Sequence, residues 1–223
     1  MGLNTALRAF YASRHAEIPE HIREIMERSG RELAASGAAE QAVKVGDTAP
    51  DFMLPSAAGA SIGLTGLLKS GPVVLTFYRG AWCPYCNLAL RHLQQHVGAM
   101  SERGARLVAV SPQIADESLS ITQKHHLTFD VLSDIGSGTA KRYGLAFDLT
   151  EELASVYEAF GMDLQRVNGG HAHTLPLPAT YVIDRDSTIR WAFVNTDYTT
   201  RAEPTDIIAA LDTLAATPGR QRP

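Results

Sequence analysis

The chain alternates short apolar runs with longer stretches in which apolar residues recur every three or four positions. The runs Val73-Val74-Leu75-Thr76-Phe77 and Arg106-Leu107-Val108-Ala109-Val110-Ser111 predict buried strands. Between them Cys83, Cys86, Leu90, Leu93, Val97 and Met100 follow steps of three and four, the spacing of one helix face. A polar helix over 115–125, a strand over 129–132 and a helix near 138–143 come next. An added helix over 149–160 has Leu153, Val156, Tyr157 and Phe160 as its apolar face, and 161–176 reads as irregular. Ala179-Thr180-Tyr181-Val182-Ile183 and the run 189–194 predict a hairpin across Asp184-Arg185-Asp186-Ser187. A closing helix over 204–214 turns Ile207, Ile208, Leu211 and Leu214 inward.

Residues 1–44 differ in style. Leu3, Leu7, Phe10 and Tyr11 form one helical face, and Pro19 opens a second segment with Ile22, Ile25, Met26, Ser29 and Leu33 on its face. The pattern predicts an extension for packing or for contact with a second copy, as in a homodimer. Short strands over 51–54 and 61–64 flank a turn at Ala58-Gly59-Ala60. The order of elements predicts an α/β fold: a mixed sheet covered by helices on both faces, antiparallel at its end. The expected organisation is a helical extension over 1–44, the α/β domain over 45–217 and a tail over 218–223.

With 223 residues, 45% of them hydrophobic and 20% charged, the chain has material for one sizeable core plus an extension. A formal net charge of -4 gives no reason to expect nucleic acid or an anionic membrane as partner. No run approaches the ~18 apolar residues of a membrane span, and the opening segment, with Arg8, Arg14, His15 and Glu17, lacks the apolar stretch of a signal peptide. Two cysteines in all suit a reducing, cytoplasmic compartment better than a secreted disulfide framework.

Those two cysteines form Cys83-Pro84-Tyr85-Cys86, at the junction of a predicted strand and a predicted helix. Pro84, with φ preset for a first helical turn, makes Cys83 the expected N-cap. A thiol there faces unpaired backbone N–H groups and the positive end of the helix dipole. Cys83 is therefore expected to be the more acidic sulfur and the one that attacks, with Cys86 one turn deeper to resolve by closing a reversible disulfide. A C-x-x-C pair also serves as half of a zinc site or as inert core. Trp82 before it and Pro84 within it favour redox chemistry, which requires no metal or other cofactor.

Farther on, a proline before the Ala179 strand lacks a ladder donor, and a cis peptide at Pro178 would set backbone against the sulfurs. His171 and His173 lie just upstream, where they are either solvated loop residues or the remaining ligands of a zinc site with Cys83 and Cys86. His92 and His96 fall nearly opposite the cysteine stripe, as exposed-face residues.

Several of these segments resemble the alkyl hydroperoxide reductase/thiol-specific antioxidant group, the peroxiredoxin-like branch of the thioredoxin fold. They are Gly46-Asp47-Thr48-Ala49-Pro50-Asp51-Phe52, Phe77-Tyr78-Arg79-Gly80-Ala81-Trp82-Cys83-Pro84-Tyr85-Cys86, Leu132-Ser133-Asp134, Tyr143-Gly144 and Pro178-Ala179-Thr180-Tyr181-Val182-Ile183-Asp184. The resemblance implies a thioredoxin-like fold and reduction of disulfides or hydroperoxides, with regeneration by an external thioredoxin-like or glutathione-like thiol. It also exposes departures. Where that group carries a proline, a hydroxyl residue and the peroxide-attacking cysteine, this chain has Arg79, Cys83 and Cys86, and Pro178 stands where an arginine precedes the late strand. The family frame thus offers Cys86 for attack on peroxide, whereas the helix terminus favours Cys83. Trp82 and Tyr85 are expected to wall the site, Arg79 to replace the missing guanidinium in part, and Pro178 to shape a substrate groove. A non-enzymatic zinc or redox-sensing interaction module is the alternative of another class.

Overall fold

A computed structural model describes residues 1–216; the expected tail over 218–223 lies outside the described residues. In chain order the elements are α1 (Leu3–His15), α2 (Glu20–Ala35), β1 (Met53–Pro55), β2 (Ser61–Gly63), α3 (Leu64–Leu68), β3 (Val73–Phe77), α4 (Pro84–Glu102), β4 (Arg106–Ser111) and α5 (Ala115–His125). There follow β5 (Asp130–Ser133), α6 (Gly138–Arg142), β6 (Ala146–Asp148), α7 (Glu151–Ala159), α8 (Leu164–Val167), β7 (Thr174–Pro176), β8 (Ala179–Ile183), β9 (Ile189–Val194) and α9 (Pro204–Ala216). The main sheet has the order β5-β4-β3-β8-β9. Strands β3, β4 and β5 run parallel, while β8 and β9 are antiparallel to their neighbours. This is the expected mixed, thioredoxin-like sheet.

Alternation along the strands divides the core. Val74, Leu107, Ala109, Val131 and Val182 face one layer with residues of α1, α4 and α9. Val73, Leu75, Phe77, Val108, Val110 and Tyr181 face the other, with α3, α6 and the segment before β1. Central β3 is buried at every position and ends directly before the cysteine turn. Its neighbours hold it in register, with Phe77 opposite both Val110 and Ala179.

Residues 161–176 are more ordered than their pattern predicts. They contain α8, whose first turn is capped by Asp163, and β7, which pairs antiparallel with β6. Elements of three or four residues are too short to register as a period. The helix expected over 149–160 is trimmed to α7 by Thr150, whose hydroxyl accepts the Leu153 N–H at 3.2 Å.

The N-terminal arm is built into this core. Leu3 and Leu7 are 1% and 0% exposed and pack in one cluster with Leu90, Leu93 and Leu211. Glu203, just before α9, accepts the N–H groups of Leu3 and Asn4 at 2.8 and 2.7 Å, satisfying donors of the first α1 turn. Helix α2 packs beside α7, where Arg28 and Glu152 pair. Among the described residues no helix is long and apolar enough to cross a membrane. Because Leu7 is fully enclosed, Leu7→Ala should cost about 2–5 kcal/mol of stability. Chemical denaturation checks this, and a change below ~0.5 kcal/mol would show the arm to be peripheral.

Candidate active site

The site forms where β3 runs into α4. Gly80 carries φ +152° as the chain turns, and a Cβ there would lie 2.3 Å from Trp82 Nε1. Two amides fix the turn: Gln113 Oε1 accepts the Ala81 N–H at 2.5 Å, and Asn87 Nδ2 donates to the Ala81 carbonyl at 2.8 Å. Cys83 is the N-cap of α4, with Pro84 inside the first turn, as the sequence predicts. Its sulfur makes no capping hydrogen bond to the helix N–H groups. Cys86 follows one turn on as the first fully buried member of the stripe that includes Leu90, Leu93 and Met100. Both cysteines are free, and the two sulfurs are within hydrogen-bonding reach of each other.

Two guanidinium groups converge on this pair. Arg201, in the loop between β9 and α9, donates from Nη2 to Cys86 Sγ at 3.3 Å. Its other end donates to the Tyr198 carbonyl and, at 2.8 Å, to that of Thr200. Asn4 at the start of α1 fixes its backbone, donating to the Arg201 carbonyl at 2.8 Å and accepting the Arg201 N–H at 3.0 Å. Arg79 is 3% exposed. Its guanidinium lies 4.8, 5.1 and 4.7 Å from the ring centroids of Trp82, Tyr157 and Tyr198, and donates to the Tyr157 hydroxyl.

Among the described residues no carboxylate lies within 4.0 Å of Arg79 or Arg201. Burying an ion costs several kcal/mol even after relaxation, and a cation–π contact returns only about 0.5–2 kcal/mol. The group placed to supply the counter-charge is Cys86, whose sulfur Arg201 touches. Burial alone would push Cys86 up, but a hydrogen bond from Cys83 and the charges of Arg201 and Arg79 hold it well below the usual thiol range. Burial, followed by the hydrogen bond to Cys86 and the charge on it, pushes Cys83 well above that range. The acidity order is therefore the reverse of the one expected from the helix terminus. Cys83 lacks the capping hydrogen bond on which that expectation rests, whereas Arg201 touches Cys86. The nearby Tyr85 hydroxyl is pushed up to about 12, chiefly by burial.

A cleft of about 920 Å³ opens over Cys83, Pro84 and Tyr85, and Trp82 and Tyr85 are among its lining residues. Cys83 is 2% exposed and Cys86 0%. Across the cleft from Cys83 lie residues of α1 and α2, so the arm expected to serve packing or contact with a second copy also walls the cleft. Tyr85 meets Phe10 of α1 edge-on at 5.2 Å and Tyr198 at 5.3 Å.

Pro178 departs from its expected role. No cis peptide occurs among the described residues, and Pro178 borders a separate cavity of about 340 Å³ on another side of Arg79 rather than the cleft over Cys83. His171 and His173 are exposed, His171 lying over the Gly136 turn. No three His, Cys, Asp or Glu side chains among the described residues gather closely enough to hold a metal ion. The zinc reading built on Cys83, Cys86, His171 and His173 thus lacks its geometry. His92 and His96 are half-buried and bond back to carbonyls one turn earlier, at 3.0 and 2.8 Å.

The sequence reading missed Arg201, 115 positions from the sulfur it touches, together with Tyr157 and Tyr198 around Arg79. The one hint was Pro178 standing where the resembled family has an arginine, and it did not point to a particular residue.

Comparison with known proteins places this geometry. The sequence profile described as the AhpC/TSA family matches residues 45–192, leaving α1 and α2 outside the match. A candidate peroxiredoxin of Mycobacterium tuberculosis is 31% identical over 114 residues, 51% of this chain and 74% of that protein. Chloroplastic peroxiredoxin Q of Triticum aestivum is 27% identical over 165 residues, 74% of this chain and 65% of that protein. Among solved structures, peroxidoxin BcpB from Mycobacterium tuberculosis superposes with a TM-score of 0.62 at 24% identity, covering 77% of this chain and 98% of that one. This last likeness establishes the fold.

The pairing of Arg201 with Cys86 predicts a titration. A depressed thiol pKa means that the thiolate, and the stability it lends, is fully present above the unfolded-state value of about 8.5 and is lost as pH falls through the folded value. Followed by thiolate absorbance near 240 nm, Arg201→Met should move this transition up by about one pH unit or more. Asn4→Ala, which frees the Arg201 backbone, should move it partway in the same direction. An unchanged midpoint in Arg201→Met would remove the ion pair from the account.

Proposed function

The chain belongs to the AhpC/TSA family, and on that premise we propose that it is a thiol peroxidase whose working couple is Cys86 and Cys83. The observation that carries the reading is a fully buried sulfur beside two guanidinium groups that, among the described residues, have no carboxylate within ion-pairing distance. Cys86 thiolate attacks the terminal oxygen of a hydroperoxide. An S–O bond forms, the O–O bond breaks, and the departing alkoxide or hydroxide takes a proton to leave as alcohol or water. Arg79 and Arg201 supply positive charge where negative charge moves toward the leaving oxygen. Cys83 thiol then attacks the Cys86 sulfenic acid, forming the disulfide and releasing water. Two equivalents of an external thiol return the pair to its reduced state.

This assigns the attacking role to Cys86 and the resolving role to Cys83, as the acidity order requires. It also favours a small hydroperoxide over a protein disulfide as oxidant, because nothing larger reaches a sulfur that is 0% exposed. A reducing compartment such as the cytoplasm belongs to the same proposal, since the cycle needs a standing supply of thiol.

Replacement separates the roles. Cys86→Ser should abolish peroxide consumption, a loss of ~10³-fold or more in kcat. Cys83→Ser should still react once with hydroperoxide, leaving a sulfenate on Cys86 that dimedone traps and mass spectrometry detects. Peroxide turnover that survives Cys86→Ser but vanishes in Cys83→Ser would reverse the assignment.

A further inference from the structure

The cycle needs a thiol donor, and the cleft over Cys83 bears on its kind. We propose that the disulfide form is reduced by a low-molecular-weight thiol carrying carboxylates, bound between the N-terminal arm and the cysteine turn, rather than by a folded thioredoxin-type protein. The proposal rests on the Cys86–Cys83 couple described above.

Three observations point to it. The first is steric. Cys83 is the sulfur that lines the cleft, yet it is 2% exposed and lies below walls formed by α1, α2 and the loop through Tyr198. Thiol–disulfide exchange needs a sulfur in direct contact with the sulfur it attacks. A cysteine on the surface of a folded protein projects little beyond its own backbone, whereas a small thiol enters whole. Second, the cleft's volume of about 920 Å³ falls within the ~300–1,000 Å³ typical of small-molecule sites. Third, the arm supplies charge. Of its three arginines that line the cleft, Arg14 pairs with Glu17 at 2.7 Å and Arg31 with Glu27 at 3.8 Å. Arg23, half-buried on α2, has no carboxylate within 4.0 Å among the described residues. A guanidinium left open in a cleft that Phe10 and Tyr11 also line suits a ligand with an anionic carboxylate on a compact organic body.

The chemistry is polarised the same way. The donor thiolate attacks Cys83 Sγ, and the S–S bond breaks with its electron pair going to Cys86. Cys86 departs as the thiolate that Arg201 and Arg79 already stabilise, and the thiol of lower pKa is the better leaving group. A second donor thiolate attacks the donor sulfur of the mixed disulfide. It releases the oxidised donor and Cys83, which takes up a proton.

The test starts from full-length protein oxidised by diamide, so that it does not depend on reaction with peroxide. Disulfide formation is confirmed by loss of two mass units. Second-order rate constants for reduction are then measured with glutathione, with cysteamine (a small thiol bearing a cation and no carboxylate), and with reduced thioredoxin. Glutathione is expected to outpace thioredoxin. In Arg23→Glu its rate constant should fall about tenfold or more while that of cysteamine stays level or rises. Faster reduction by thioredoxin than by glutathione would overturn the proposal, as would an Arg23→Glu variant in which the glutathione-to-cysteamine ratio is unchanged. Failure of peroxide itself to oxidise the pair would instead count against the peroxidase reading, and leave the diamide result to stand or fall by itself.

Discussion

The contact of the buried Arg201 guanidinium with Cys86 Sγ, backed by the positive charge of a second buried guanidinium on Arg79, is the interaction on which the proposed site depends. Neither Arg79 nor Arg201 has a carboxylate partner within ion-pairing distance among the described residues, and Arg79 is nearly out of water. At an effective dielectric of about 20, opposite charges 4 Å apart attract by about 4 kcal/mol, comparable with the several kcal/mol that burial of each ion costs. Removal of the sulfur charge leaves two cations in a low-dielectric wall. The aromatic cage of Trp82, Tyr157 and Tyr198 offsets part of that cost and keeps Arg79 from turning to solvent. In the proposed cycle the arrangement that lowers the Cys86 pKa also supplies the attacking thiolate.

Cys83 completes the arrangement by remaining protonated. Its thiol donates to Cys86, so the hydrogen bond that lowers one sulfur raises the other. A hydroxyl at that position could donate in the same way but could not then form a disulfide. In the proposed cycle, sulfur in place of oxygen combines stabilisation of the thiolate and resolution of the sulfenate in one side chain, one helical turn away. The turn that presents the pair tolerates little change, since Gly80 has Trp82 against its backbone and Ala81 is gripped at both its N–H and its carbonyl.

Much of the scaffold was legible in the sequence because it rests on local periodicity. The five buried positions of β3, the three-and-four stripe from Cys83 to Met100, and the hairpin of β8 and β9 fall where pattern places them. What escaped detection is tertiary. Elements β7 and α8 are shorter than one readable period. Arg201 reaches Cys86 from 115 positions away, and nothing local distinguishes it from any loop arginine. The acidity order could not follow from the cap position alone, because it turns on which sulfur the distant arginine meets. Helices α1 and α2 read as packing, and Leu3 and Leu7 do pack. Phe10, on the same face of α1, and Arg23 of α2 acquire meaning only once the cleft exists.

The claim that Cys86 bears the charge is tested most directly by carbon-13 NMR of the reduced wild-type protein labelled at the cysteine β-carbons, titrated with pH after each resonance has been assigned from a single-cysteine variant. The account predicts that the Cys86 β-carbon holds its thiolate shift through neutral pH and changes only in acid. The Cys83 β-carbon should hold its thiol shift well past pH ~9. A spectrum at neutral pH in which Cys83 is the thiolate and Cys86 the thiol would contradict it.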